Sequence, residues 1–203
     1  MALFSTAYWA PVSTYRLAAQ CDIVEIEQHE RYQKQSYRNR CTILSANGPL
    51  SLVVPVLRPH DCGIRDIRID YSKPWQKTHW RAIEAAYRSS PFFEEFGADV
   101  HEVYTTAFPF LFDLNIKVWE VSLALLGVSF PWILTERFMP PSGAQVGMGA
   151  NESVHTQDFR YAIHPKAKRK PEGLALEPYF QVFGYKFGFV PDLSVLDLIF
   201  NGS

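Results

Sequence analysis

The sequence has few cysteines, and their arrangement excludes two common small-protein designs. Its three cysteines, Cys21, Cys41 and Cys62, include no C-x-x-C pair. An odd number without that pair fits neither a disulfide framework nor a zinc knuckle. Cys21 and Cys41 lie in strongly apolar neighbourhoods, where cysteine usually fills a core; a catalytic cysteine is the alternative. We therefore expect reduced thiols in a cytoplasmic protein.

The sequence also lacks a targeting segment and a long hydrophobic run. Residues 1–5 carry no basic region and no extended apolar stretch, so they do not resemble a signal peptide. A membrane-spanning helix needs roughly 20 consecutive apolar residues. The strongest candidate, Val118 to Phe130, is too short and begins beside Lys117 and Glu120. We expect no transmembrane segment.

An excess of basic charge is absent as well. The chain has 20 Lys and Arg against 21 Asp and Glu, a formal net charge of −1. A dedicated nucleic-acid binder normally shows a basic excess, so we expect no nucleic-acid partner. What the sequence does have is apolar material: 47% hydrophobic and 15% aromatic residues over 203 positions. This composition predicts a single domain over residues 1–203 with a sizeable packed core.

The first third of the chain predicts mostly strands. Leu3 to Trp9 and Asp22 to Ile26 are expected strands, and Val12 to Gln20 between them is a short helix entered through Pro11. Strand, helix and strand form a right-handed βαβ unit with parallel strands. The loops after both strands then lie at the carboxyl edge of the sheet, where open α/β sheets bind ligands.

Further strands and three helices follow. Tyr37–Ser45 and Pro49–Val56 predict a hairpin around Asn47-Gly48, and the alternation in Arg65–Asp70 predicts an edge strand. Residues 72–130 are mostly helical, with helices expected over 74–88, 92–104 and 112–126. The predicted fold class is α/β: a mixed, mainly parallel sheet opened by a β-α-β unit, with a β-hairpin insertion and a helical middle region.

The last third of the chain combines loops with apolar segments. Ile133-Leu134 is an expected short strand before a flexible loop region over 139–178, and Phe159–Ile163 is a second short strand within that region. The glycines at 143, 147 and 149 lack a following Lys-Ser/Thr, which excludes a P-loop. The basic run at 166–170 is either a solvated loop or a lid over an anionic ligand. The segment 179–203 predicts a strand and a final helix packed on the core.

One polar stretch, His29–Arg40, separates two apolar regions. It contains four basic residues, Arg31, Lys34, Arg38 and Arg40, against the single acid Glu30. Guanidinium groups present forked donors that suit phosphate or carboxylate oxygens. This pattern indicates an anion-binding wall. The alternative is a solvated, salt-bridged hairpin edge whose charges prevent edge-to-edge pairing.

Several spaced motifs make the chain resemble the WbqC-like family of bacterial proteins over nearly its whole length. They are Gln33-Lys34 with Asn39-Arg40, Asn47-Gly48-Pro49, Trp75 with His79-Trp80, Pro91-Phe92-Phe93, Gln181-Val182-Phe183, Gly188-Phe189 and Leu193-Ser194. The chain departs from the pattern at Ala10 before Pro11 and in an expanded run at 166–171. The resemblance implies a role in building O-antigen, capsule or other modified sugars, and it does not select a reaction.

The candidate site combines this polar stretch with groups from the first and second helices. His79 and Lys34 are the predicted catalytic residues, since imidazole transfers protons near pH 7 and a desolvated lysine is a nucleophile or electrostatic stabiliser. The predicted substrate-binding residues are Tyr15, Gln33, Arg38, Asn39 and Arg40. A structural histidine, a surface lysine and a core tyrosine are the competing interpretations. The histidines show no metal-ligand spacing, so we expect no metal and no cofactor.

Two functional hypotheses follow. In the first, the protein is a transferase that moves an acyl or aminoacyl group onto a nucleotide-linked aminosugar, with a nucleotide sugar or phosphorylated substrate as the anionic ligand. In the second, it is a non-catalytic accessory protein that binds a carrier protein or partner enzyme of the same pathway. Convergence of Lys34, Asn39, Arg40 and His79 on one concave pocket favours the enzyme, and dispersal over a flat surface favours the accessory protein.

Overall fold

The computed structural model describes residues 1–57, 62–140, 157–166 and 176–202. In this part of the chain a four-stranded parallel sheet, a separate antiparallel hairpin and a helical middle region pack together. The strands are β1 (Ala2–Ser5), β2 (Val24–Glu27), β3 (Arg40–Ser45), β4 (Gly48–Val53), β5 (Trp132–Leu134) and β6 (Gln157–Asp158). The helices are α1 (Val12–Ala18), α2 (Trp75–Tyr87), α3 (Phe93–Thr105), α4 (Leu111–Leu126), α5 (Gly184–Phe187) and α6 (Val195–Asn201). The predicted fold class is confirmed.

The parallel sheet has the order β5-β2-β1-β6, so the two strands of the opening βαβ unit lie at its centre. Ala2 pairs with Val24 on one side and with Gln157 on the other. The predicted parallel pairing of the first two strands is confirmed. All four strands point the same way, which brings their carboxyl ends to one edge of the sheet.

The connection from β1 to α1 is tight and includes an unusual backbone conformation. Trp9 has a φ of +43°, in the left-handed region that non-glycine residues seldom adopt. Pro11 then precedes α1 with a φ of −63°, and its missing N–H costs nothing at a helix start. Trp9 is buried, so packing rather than local preference holds this conformation.

The hairpin forms at the predicted turn. Gly48 has a φ of +104°, a conformation that a side chain would strain, and β3 and β4 pair antiparallel on either side of it. The pairing begins at Arg40, opposite Val53. The three predicted helices of the middle region are present within one or two residues of their expected bounds, and α4 ends at Gly127 with a φ of +64°.

Three predicted strands are not strands. The segment Arg65–Asp70 begins in a short 3-10 turn, Ile64–Asp66, and continues with isolated bridges. Its bridges go to two different partners, Val56 and Phe110, so no continuous ladder forms. The guanidinium of Arg68 lies over the Phe110 ring at 4.9 Å. At Phe159–Ile163 a turn closes by a 3.1 Å bond from the N–H of Ile163 to the carbonyl of Phe159. Only β6, just before this turn, joins the sheet.

The third wrong strand is Tyr179–Phe183. There the side chain of Gln181 makes the bonds that a neighbouring strand would make. Its Nε2 donates to the carbonyl of Val190 at 2.9 Å, and its Oε1 accepts from the N–H of Val190 at 2.9 Å. The chain then turns directly into α5.

The core lies between the sheet, the hairpin and the helices. All seven residues of α6 are buried, as predicted for a final helix packed on the core. None of the helices in the described ranges has both the length and the hydrophobicity to span a bilayer. The predictions for the glycines at 143–149 and for the basic residues at 168–170 lie outside the described residues.

Candidate functional site

The carboxyl edge of the parallel sheet holds a concentration of buried charge. Ser5 ends β1, Glu27 ends β2 and Asp158 ends β6. Because these strands are parallel, their last residues meet at one edge, which is where ligands bind in open α/β sheets. The polar stretch after β2 supplies Glu30 and Arg38 to the same edge.

One buried ion pair joins Arg38 to Glu30. The Nε of Arg38 donates to Glu30 Oε1 at 2.8 Å, its Nη2 contacts Glu30 Oε2 as well, and Nη2 also donates to Ser5 Oγ at 2.7 Å. Both side chains are 2–3% exposed. Burial raises the pKa of the Glu30 carboxyl, and the bonds from Arg38 oppose that shift. This two-point pairing ties the loop after β2 to the end of β1.

A second buried cluster surrounds Arg160. Its guanidinium donates to Asp158 at 2.6 and 2.9 Å, to Glu27 at 3.2 Å and to the carbonyl of Met139 at 2.6 Å. Burial lowers the pKa of the guanidinium, but the carboxylates of Asp158 and Glu27 outweigh it and raise that pKa overall. Glu27 also accepts from Thr135 Oγ1 at 2.9 Å. This cluster joins residues from β2, β6 and the segment after β5.

Two small cavities lie beside these pairs. One, of about 20 Å³, is lined by Ser5, Thr14, Arg38 and Arg160 among others. A neighbouring one of about 10 Å³ is also lined by Thr14, and by Asn115. Each is about the size of one water molecule. Thr14 Oγ1 and Asn115 Oδ1 are buried and have no hydrogen-bond partner among the described residues, and both residues line these cavities.

Several cationic side chains lie around the Arg38–Glu30 ion pair. Burial lowers the pKa of His164, and the charges of Arg38, Lys166 and Arg40 lower it further. Ile163, the residue before His164, lines the same cavity as Arg38. Lys166 is exposed and its Nζ contacts Gln35 Oε1. Arg40 is half-buried, and its enclosed Nε has no hydrogen-bond partner in the part of the chain that the structure describes. We call Arg40, His164 and Lys166 the cationic rim.

His164 contributes a neutral donor to this rim. Its Nδ1 accepts from the N–H of Lys166 at 3.1 Å, so the ring hydrogen is on Nε2. The lowered pKa keeps the imidazole neutral at neutral pH. An anion bound between the rim cations would accept a hydrogen bond from Nε2 and would raise the pKa of this imidazole.

Four of the five predicted substrate-binding residues, Gln33, Arg38, Asn39 and Arg40, lie together in the polar stretch at this edge. Arg38 is buried in the first ion pair, and its Nη1 donates to Gln33 Oε1 at 3.3 Å. Arg40 lies in the cationic rim. Asn39 is buried and donates from Nδ2 to the carbonyl of Val54 at 2.9 Å, so it fastens the polar stretch to the hairpin. Lys34, in the same stretch, is exposed.

His79 is part of a different cluster, which we call the aromatic network: Tyr8, Trp9, His79 and Tyr104. His79 Nδ1 bonds to Tyr8 Oη at 2.9 Å, Tyr8 Oη to Tyr104 Oη at 2.6 Å, and Trp9 Nε1 donates to Tyr104 Oη at 2.8 Å. Burial lowers the pKa of His79 to about 4, and a hydrogen bond with the backbone of Val53 opposes that shift. These contacts are those of a structural histidine.

Tyr15 is also held away from the rim by its packing. It is buried on α1 with its ring stacked on Trp119 at 5.0 Å between centroids. Burial raises the pKa of its phenol well above the usual value. No contact among the described residues joins Tyr15 to Lys34, Arg40 or His164.

Sequence reasoning missed the second cluster and His164. Glu27 and Ser5 carried a signal, since each is the last residue of a strand that leads to the ligand-binding edge. Arg160 carried none, because its partner Glu27 is 133 positions away. In the described ranges no group of three or more His, Cys, Asp or Glu side chains is arranged to hold a metal ion.

Comparison with known proteins identifies the family. The family model described as "WbqC-like protein family" matches residues 7–203. The chain belongs to the WbqC-like family. It is also 27% identical over 203 residues to "Uncharacterized protein Rv1507c" of Mycobacterium tuberculosis, and the alignment covers 92% of this chain and 87% of the mycobacterial protein. No solved structure matches the chain.

Proposed function

We propose that this WbqC-like protein is a transferase that holds the anionic part of a nucleotide-linked or phosphorylated sugar at the cationic rim. The observation that carries the proposal is the enclosed Nε of Arg40, which has no hydrogen-bond partner among the described residues, together with the effect of the Arg40 and Lys166 charges on the pKa of His164. A partly desolvated guanidinium needs a counter-charge, and phosphate oxygens match its forked donors. The rim lies beside the carboxyl edge of a parallel sheet, the usual ligand position in α/β folds.

The buried ion pairs give this rim a rigid support. Glu30 neutralises Arg38. Glu27 and Asp158 neutralise Arg160. These paired charges hold the loops in position. The rim cations outside these pairs are the groups available to a ligand. Such preorganised charges need little rearrangement when an anion binds.

The chemistry that we assign is acyl or aminoacyl transfer onto an amino group of the sugar, in a pathway that builds surface polysaccharide. Family membership supports the pathway, and the rim supports the anionic substrate. Lys34 is exposed in the same stretch as the rim and is the group that we assign to charge stabilisation at the reacting carbonyl. Proton transfer by His79 stays a prediction, although its contacts favour the structural role.

Anion binding can be tested directly by calorimetry with nucleoside diphosphate sugars and with inorganic pyrophosphate as the minimal probe. We expect Arg40→Gln to weaken binding by roughly tenfold or more, since a hydrogen bond to a charged group contributes about 1.5–3 kcal/mol. Lys166→Gln should have a smaller effect because that side chain is exposed. Arg88→Gln, at the exposed arginine that follows α2, is the matched control and should bind like the wild type.

The pH dependence sharpens the same test. A bound anion raises the pKa of His164, so binding should tighten as the pH falls from 8 towards 6, and His164→Gln should remove that trend. The proposal fails if no anion in a broad panel binds the wild type, or if Arg40→Gln binds as tightly as the wild type.

The accessory-protein hypothesis has two observations in its favour. The first is that His79 lies in the aromatic network, so it does not join Asn39 and Arg40 in one concave pocket as the enzyme hypothesis expected. The second is a pair of exposed aromatic side chains. Tyr185 on α5 is 84% exposed, and Phe187 beside it is 37% exposed. Exposed aromatic side chains are typical anchors of protein interfaces. If the anion panel gives no binding, Tyr185→Ala should be tested for loss of complex formation with a carrier protein or enzyme encoded in the same pathway.

A further inference from the structure

A large apolar groove lies at the other end of α1 from the loop that enters the candidate site. It has a volume of about 660 Å³, within the range of small-molecule pockets. Its apolar walls come from the end of α4 and the start of α3, including Leu125, Leu126, Phe92 and Phe96. Phe180, on the segment before α5, is 59% exposed at the same groove. Water therefore contacts a continuous hydrocarbon surface here.

Among the described residues that line the groove there is one cation, Arg16 of α1. This side chain is half-buried, and its enclosed Nε has no hydrogen-bond partner in the described ranges. Within the described ranges its guanidinium makes no ion pair. An enclosed guanidinium without a counter-charge is unfavourable, so this position favours a ligand that brings one.

A second polar group lies close to Arg16. Burial and Asp197 raise the pKa of the Tyr179 phenol, and the charge of Arg16 acts in the opposite direction, which places the two side chains near each other. The Tyr179 hydroxyl donates to Asp197 Oδ2 at 2.8 Å and keeps its oxygen lone pairs for another donor. The groove thus has a polar end at Arg16 and Tyr179 and an apolar remainder.

We propose that this groove binds a fatty-acid carboxylate, with the carboxylate paired to Arg16 and the hydrocarbon chain lying against Leu125, Leu126 and Phe96. The argument is charge complementarity combined with shape. A planar carboxylate accepts two parallel bonds from a guanidinium, and an unbranched chain covers the apolar walls. This site is independent of the cationic rim and goes beyond the proposed transferase function.

The direct test is calorimetry with dodecanoate below its critical micelle concentration, with dodecanol and dodecylamine as head-group controls. We expect dodecanoate to bind at least tenfold more tightly than dodecanol and dodecylamine to bind least, because Arg16 repels an ammonium. Each methylene removed from the chain should weaken binding by up to roughly fourfold. Arg16→Met should weaken dodecanoate binding about tenfold while dodecanol binds as before.

A second variant tests the location. Ala19 lines the groove and is exposed, so Ala19→Trp fills the space without disturbing the core and should abolish binding of both ligands. Ala85→Trp, at an exposed position of α2, is the matched control and should bind like the wild type. Arg40→Gln should also leave dodecanoate binding unchanged, which separates this site from the cationic rim.

Three results would overturn the proposal. The first is a wild-type protein that does not bind dodecanoate. The second is an Arg16→Met variant that binds dodecanoate as tightly as the wild type. The third is unchanged binding by Ala19→Trp, which would place the fatty acid elsewhere on the molecule.

Discussion

The sheet edge and the aromatic network are both rich in buried polar atoms, yet they are built from opposite chemistry. At the sheet edge, two arginines are paired with three carboxylates, and most of these side chains are excluded from water. In the aromatic network, Tyr8, His79, Tyr104 and Trp9 are joined by neutral hydrogen bonds. The first region concentrates charge and the second avoids it.

This contrast shows where charged and where neutral polar side chains can be buried. A buried ion pair with two hydrogen bonds can fix the loops at the end of a parallel sheet. Removing each ion from water costs free energy, and the attraction of the opposite charge offsets that cost. The aromatic network packs helix α2 onto the β1–α1 connection, where an uncompensated charge would be much more costly. A histidine there is neutral because burial selects the neutral form.

The largest effect should come from breaking the charged region. Arg160→Met leaves Glu27 and Asp158 buried beside an uncharged side chain, and we expect it to lower the free energy of unfolding by about 3–5 kcal/mol. Urea denaturation at pH 7 measures this. Arg88→Met breaks an exposed pair to Glu84 at 3.9 Å and should change stability by less than about 0.5 kcal/mol. Equal effects of the two variants would show that burial does not decide the outcome.

A pH titration tests the neutral region. The pKa of His79 is about 4 in the folded state and near 6.5 when unfolded, so between these values only the unfolded state takes up a proton. The folded state therefore has its full stability above pH 6.5. It becomes less stable as the pH falls from 6.5, and the loss is complete once the pH has fallen through 4. We expect His79 to account for about 2 kcal/mol of the stability lost between pH 7 and pH 5.

The matched comparison for this titration uses two glutamine variants. His79→Gln should reduce the difference in unfolding free energy between pH 7 and pH 5 by that amount, measured by urea denaturation at both pH values. His101→Gln, at an exposed position of α3, should keep the wild-type difference. A pH profile that is the same for His79→Gln and the wild type would contradict the neutral assignment.

The smallest expected effect comes from removing one hydroxyl of the aromatic network. Tyr104→Phe deletes the acceptor for Trp9 Nε1 and the partner of the Tyr8 hydroxyl, so we expect a loss of about 1–3 kcal/mol. Thermal and urea unfolding both report it. Tyr185→Phe removes a hydroxyl from an exposed ring and should leave stability unchanged. A neutral Tyr104→Phe variant would mean that the network contributes packing alone.

Local patterns predicted much of the fold. The βαβ opening followed from apolar runs interrupted by Pro11, and the hairpin from Asn47-Gly48, because these residues have strong backbone preferences. The helices of the middle region followed from their apolar spacing. The strand predicted at Tyr179–Phe183 was wrong because Gln181 satisfies the backbone through its side chain, and no residue pattern reports such a bond in advance.

The candidate site was less accessible to sequence reasoning. The charged stretch located Arg38 and Arg40. It did not show that Glu30 neutralises Arg38, whereas the Nε of Arg40 has no hydrogen-bond partner among the described residues. Residue type alone was a poor guide for both His79 and Lys166. A reactive residue type pointed to His79, whose burial favours a structural role, while Lys166 gained its place near Arg40 and His164 only through the long-range pairing of β6 with β1.

The pairing of β1 with β6 means that the sheet cannot be completed early in synthesis. β1 is made first, but its outer neighbour β6 begins at Gln157, so one side of β1 has no strand partner while the intervening chain leaves the ribosome. An uncovered strand edge is a template for association between nascent chains. Fragments that stop short of residue 157 should therefore collect in inclusion bodies, whereas a chain that includes β6 covers this side of β1.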